Sequence, residues 1–170
     1  MPFARALSRG TAFCVTTFVV LVALVLSMVI HDPAAGAGES RYRLNQLEKC
    51  MIRKIDGARA RHGLRRLDTD KQIAYVARRH ARTMARRNYV FDDANLPSKV
   101  TRWRSLAAND GEGRGCKRTF KALMHDSAHR ANIMGNYNFV GVGTHRRGNW
   151  VFISQVFEWR RNPGNRWNYP

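Results

Sequence analysis

The densest gathering of chemically capable side chains in this sequence is MHDSAHRANIMG, Met124 to Gly135, which holds His125, Ser127, His129, Arg130 and Asn132 near the end of an expected helix. Two histidines at this spacing share one helix face and can ligate one metal ion, provided the helix continues through both. A third ligand has to come from elsewhere, and Asp92, Asp93, Asp110 and Glu112 are the available carboxylates. The candidate metal ligands are therefore His129, His125 and Asp92, with zinc as the divalent ion that imidazole suits. Ser127 beside His129 has the residue types of a nucleophile and its base. A catalytic triad is a geometry, however, and no nucleophile-elbow pattern surrounds the serine. In GEGRGCK, Gly111 to Lys117, the glycine spacing of a phosphate-binding loop is missing and Lys117 is followed by Arg118, so the glycines read as loop punctuation. His80 falls on an apolar helix stripe, where a hydrogen-bonded core histidine is the expectation.

The elements that must position these groups follow from hydrophobic period. Leu44, Leu47, Met51, Ile55 and Ala58 recur at helical spacing, and Gly63 ends that helix. A second helix carries Ile73, Val76, Ala77, His80, Ala81 and Met84 on one stripe, with Asp68 or Thr69 placed to cap it and its arginines on the wet side. Asp92 to Gly115, rich in Asp, Asn, Pro and Gly, reads as a long connection with one short helix around Trp103. Phe120, Leu123 and Met124 mark a third helix. Strand-like alternation then begins: Phe139 to Thr144, a basic turn from His145 to Asn149, and Trp150 to Phe157 form a hairpin. Three helices and a hairpin imply an α+β domain with the sheet covered by helices. The tail from Trp159 to Pro170 interleaves Trp159, Trp167 and Tyr169 with Arg160, Arg161 and Arg166, and is expected to pack its aromatics on the body.

Length and charge bound the function. With 170 residues there is room for one domain and too little for two good cores. A net charge of +18 attracts any anionic surface or polymer without naming one. Residues 1–37 read as a signal peptide or signal anchor: Arg5 and Arg9 precede an uncharged run from Thr11 to Ile30, and Ala35 and Ala37 have the spacing a signal peptidase accepts. Either fate places the remainder outside the cytoplasmic membrane. Residues 38–43 are then a linker, 44–158 the domain and 159–170 the basic aromatic tail. Cys50 and Cys116, an even pair in an oxidising compartment, imply a disulfide.

The motifs HRANIM and FVGVGTHRRGNWVFISQVF, together with ARARHGLRRLDTD, VARRHARTMARRN and the closing NPGN, resemble the CAP superfamily of SCP-like extracellular domains in its short bacterial form. The resemblance covers Leu44 to Phe157 and implies a three-layer α/β/α sandwich, secretion and often a disulfide. It also implies a cleft lined by two histidines and two acids, the histidines able to bind a divalent metal. His129 takes the place of the second histidine. Asp92 or Asp93 stands where the first belongs, and Ala108, before Asn109, stands where the family has a glutamate. His129, Asp92, Asp93, Asn109 and Glu112 are thus the expected cleft, and with a single imidazole it would hold zinc weakly. Arg130 and Asn132 are expected to be structural, holding the loop after the third helix. With these losses the resemblance favours a non-catalytic extracellular binding module for a lipid, cell-envelope or protein ligand. The alternatives are a metal-assisted hydrolase using His129 and loop carboxylates, and a polyanion-binding protein in contact with anionic polymers or a membrane surface; specific nucleic-acid recognition is not expected.

Overall fold

The computed structural model describes residues 43–161 and 166–167. The expected leader, all but the last residue of the linker and most of the tail lie outside these residues. Among the described residues no helix is long and apolar enough to cross a membrane.

Helix α1, Gln46–Arg61, starts at Asn45 rather than Leu44. The Asn45 carboxamide accepts from the N–H groups of Leu47 and Glu48 while Glu48 accepts from the Asn45 N–H, which satisfies amides that the first helical turn leaves unpaired. Its buried stripe is Met51, Ile52, Ile55 and Ala58, and Gly63 takes the positive φ that lets the chain leave the helix. Asp68 and Thr69, expected as caps, instead belong to strand β1, Asp68–Asp70, and pair in parallel with Phe139 and Val140. The cap of helix α2, Lys71–Arg87, is Asp70, whose Oδ1 accepts from the N–H groups of Gln72 and Ile73.

The chain then departs from its expected course. The short helix α3 is Leu96–Lys99 and ends before Trp103, and Ser105–Gly113 is not a loop but strand β2, paired antiparallel along its whole length with β4. Asn109-Asp110-Gly111 is turn chemistry by local propensity, yet nine cross-strand registers override it. Helix α4, Cys116–His125, stops at Asp126, which caps a separate helix α5, Ser127–Met134. Strands β3, Phe139–Arg147, and β4, Trp150–Trp159, form the expected hairpin, with a tighter turn at Gly148 and Asn149. Trp159 thus ends a core strand and Arg160 is buried, so the first two residues assigned to the tail belong to the body. Strand β5, Arg166–Trp167, pairs with β1, and the sheet order is β2-β4-β3-β1-β5.

Strand alternation sends the two halves of each strand's side chains to opposite layers. Val140, Val142, Val151, Ile153 and Phe157 meet α1, α4 and α5 on one face. Phe139, Val156 and Phe152 meet α2 on the other, which completes the α/β/α sandwich. The glycines of Val140-Gly141-Val142-Gly143 explain how α2 lies so close: a Cβ at Gly141 would sit 2.2 Å from the Ala74 nitrogen, and one at Gly143 2.0 Å from that of Arg78. The Cys50–Cys116 disulfide joins α1 to the start of α4.

Candidate functional site

The break at Asp126 removes the first functional expectation. His125 is exposed at the end of α4 and His129 sits in α5, so the two histidines do not share one helix face. Asp126 is engaged as the cap: its Oδ1 accepts from the His129 N–H at 2.9 Å and lies 3.2 Å from His129 Nδ1. That backbone hydrogen bond is the main reason its carboxyl titrates below the ordinary value. Ser127 is exposed in the first turn of α5.

Asn109 and Asn132 are structural. Asn109 is fully buried, and its Nδ2 donates to the His129 carbonyl at 3.0 Å and to Gln155 Oε1 at 3.1 Å. Asn132 Nδ2 donates to Asn109 Oδ1 at 2.9 Å and to the Ala108 carbonyl at 3.1 Å. Two carboxamides thereby fasten α5 to β2. Arg130 donates to the Met124 carbonyl at 3.2 Å, across the α4–α5 break. The carboxy end of α5 is held by Arg59, a buried guanidinium that donates to the carbonyls of Ile133 and Gly135, both at 2.8 Å. Sequence periodicity gives no sign of this role, because Arg59 sits beside the apolar stripe of α1.

The open volume lies elsewhere. A cleft of about 740 Å³ runs between α2 and the segment from Phe91 to Lys99. Asp92 and Asp93 line it; His129, Asn109 and Glu112 do not. Asp93 is committed to the loop, with Lys99 Nζ 2.6 Å from each of its oxygens and the Asn95 N–H donating to it. The floor is Val76, His80 and Phe91, and Arg79, Arg87 and Tyr75 stand on the α2 side.

His80 is 6% exposed, as a core histidine should be, but its partner was not expected. Its Nε2 is 2.7 Å from the Phe91 carbonyl and 3.5 Å from Oδ2 of Asp110, a buried carboxylate with no hydrogen-bond partner among the described residues. Burial alone lowers the imidazole pKa, yet Asp110, the Phe91 carbonyl and Asp93 outweigh it, so His80 keeps its proton to higher pH than a free histidine. With Nε2 held by a backbone carbonyl, His80 tethers the cleft segment to α2 rather than standing free to take a proton from a substrate. Once 105–113 is a strand, alternation puts Asp110 on the same face as Leu106 and Ala108, towards α2; read as a loop, it had no face.

A second buried charge cluster closes the other end of α2. Asp70 pairs with Arg160, whose Nε is 3.4 Å from Glu158 Oε1, and all three side chains are almost wholly buried. One guanidinium serves two carboxylates, and its aligned hydrogen bond goes to Asp70. Burial therefore dominates at Glu158, against Arg160 and with help from Asp70, and its carboxyl is pushed up to about 7.

The residues present do not fit a family-type metal centre. Among the described residues no three His, Cys, Asp or Glu side chains converge on a point that could hold an ion. His129 faces its own cap, the place of the first histidine is taken by aspartates in another wall, and Ala108 supplies no ligand.

Comparison with known proteins agrees with this architecture. The Cysteine-rich secretory protein (CAP) family model matches residues 52–157. The fold is similar to an outer surface protein of Borrelia burgdorferi, with TM-score 0.61 and 14% identity over 66% of this chain and 92% of that one. It is similar too to venom allergen-like protein 4 of Schistosoma mansoni, with TM-score 0.58 and 13% identity over 75% and 97% of the two chains. An extracellular SCP-domain protein of Bacillus anthracis matches with TM-score 0.57 and 22% identity over 66% of this chain, which spans 41% of that longer one. No curated protein matches the chain in sequence. A family match over residues 52–157, from within α1 into β4, together with the Gly141 and Gly143 contacts and the carboxamide clasp that its motifs build, establishes that the chain belongs to the CAP family.

Proposed function

We propose that this CAP domain is an extracellular, non-catalytic binding module, secreted or held at the outer face of the cytoplasmic membrane by its leader, whose lipid, cell-envelope or protein ligand occupies the cleft beside α2. The observation that carries the reading is a division of labour. The polar groups of the family motif are engaged in holding α5 on β2, whereas the 740 Å³ cleft is lined by Val76, Phe91 and Tyr75 with Arg79, Arg87 and Lys99 at its sides. Such a lining suits a ligand with an apolar body and an anionic or polar end.

The test is native mass spectrometry of the protein exported by a secreting host, for wild type, Thr83→Trp, which fills the cleft from α2, and His129→Ala. The expected result is a non-metal adduct carried by wild type and by His129→Ala and lost in Thr83→Trp. Peptide cleavage, or a stoichiometric metal adduct, present in wild type and absent in His129→Ala would overturn the reading in favour of a metal-assisted hydrolase.

A further inference from the structure

We infer that the end of the domain where the carboxy terminus of α2 meets the β3–β4 hairpin is a docking face for an anionic lipid bilayer, independent of the cleft ligand. From Arg79 to Val90 the chain carries four arginines, Arg79, Arg82, Arg86 and Arg87, and no acid, and from Ser127 to Phe157 it carries no acid at all. Helix α2 presents Arg82 and Arg86 one turn apart and exposed. His145 of β3 feels their charge: its pKa is lowered first by burial and then by these two arginines. Arg147 Nη1 donates to the carbonyls of Ala85 and Arg86 at 2.8 and 2.9 Å, which locks the hairpin end to the end of the helix. Glu112, an exposed acid, stands on the adjoining edge strand opposite Phe152, and a second, Asp92, follows Val90 by two residues.

Cations alone would suit any polyanion; the exposed apolar groups decide for a bilayer. Trp150, 44% exposed, pairs across the turn with Arg147, and the Arg114 guanidinium stands 5.6 Å from its ring centre. Tyr89 and Val90, 51% and 38% exposed, follow directly after the end of α2. Indole and phenol rings settle at the headgroup level of a membrane while guanidinium groups fork onto lipid phosphates. Val90 offers a polymer or a nucleobase no charge and no ring, but it gains from contact with acyl chains.

The experiment uses the full chain expressed with its own leader and taken in the form its host exports, so that wild type and variants share the same amino terminus. Binding is measured by flotation with phosphatidylcholine vesicles with and without phosphatidylglycerol. The expected result is a preference for the anionic vesicles that R82Q/R86Q weakens roughly 25-fold, at about five-fold for each cation. K117Q/K121Q, on α4 at the opposite face of the sheet, should weaken it less than about five-fold. Brominated lipid should quench tryptophan emission in wild type and much less in Trp150→Phe. Circular dichroism and melting of R82Q/R86Q, which alters two exposed side chains, should match wild type. Equal binding to both vesicle types, a K117Q/K121Q loss as large as that of R82Q/R86Q, or anionic binding without quenching at Trp150 would overturn the proposal. Tight binding to soluble polyphosphate with no vesicle preference would overturn it as well, in favour of a polymer.

Discussion

Glu158→Gln should make the protein more stable above neutral pH. Glu158 is fully buried, and Arg160, the cation beside it among the described residues, already makes its aligned bond to Asp70. Its carboxyl is therefore cheaper to hold protonated than charged, and the folded state keeps the proton up to about 7, against an ordinary value of 4.5. The sign follows from linkage. Between those values the native state binds a proton that the unfolded chain has released, so this group's contribution is complete below 4.5, declines as pH rises and is lost above 7. At about 1.4 kcal/mol per pH unit the loss amounts to about 3 kcal/mol. Glutamine has the same shape and never ionises, so the variant should match wild type near pH 4.5 and exceed it by up to about 3 kcal/mol at pH 8. The assay is urea unfolding of the disulfide-intact protein across this range. His80, whose pKa is also raised, contributes stability that is full below its ordinary value and lost as pH climbs past the folded one. It moves both proteins alike and drops out of the difference. A variant less stable than wild type at pH 8, or a difference that does not change with pH, would refute the reasoning.

Four further outcomes are expected. Reduction of Cys50–Cys116, which closes a separation of 66 residues, should cost about 4 kcal/mol on the chain-entropy account; calorimetry with and without reductant checks it, and an unchanged melting curve would count against it. Gly143→Ala should leave little folded protein, because the new methyl would press on α2 backbone that has no room to move, whereas Gly63→Ala, where nothing crowds the site, should cost only the strain of its positive φ, about 1 kcal/mol. Asn132→Ala should destabilise by roughly 2 kcal/mol by stranding the Asn109 carboxamide oxygen and the Ala108 carbonyl, measured by denaturant unfolding. His129→Ala should leave stability within about 1 kcal/mol, because it is the His129 backbone carbonyl that Asn109 binds, and should leave peptidase activity at the same background as wild type.

Much of this protein was legible in one dimension. Helical spacing located α1 and α2, alternation located the β3–β4 hairpin, and the pair Cys50 and Cys116 implied the disulfide, because each of these signals is carried by residues near in sequence or by a simple count. The glycines at 141 and 143 belonged to a recognisable motif, but their purpose, admitting the α2 backbone onto the sheet, needs both elements in place. Strand β2 was hidden because its defining partners on β4 lie far along the chain, from Trp159 opposite Ser105 to Val151 opposite Gly113, and pairing there overrode the turn preference of Asn109-Asp110-Gly111. With β2 hidden, the faces of Asn109 and Asp110 were hidden too, so Asn109, half of a carboxamide clasp to α5, was expected in the cleft, and the buried Asp110 beside His80 was counted only among the loop carboxylates. The fate of the histidine pair turned on a single residue: Asp126 gains more by capping α5 than by extending α4, and that choice separated His125 from His129. Local composition therefore set α1, α2, the β3–β4 hairpin and how strongly charged the chain is. Which side chains meet, and which buried charges go unmatched, was decided by long-range pairing across the sheet, where the cost of leaving a polar group without a partner is settled.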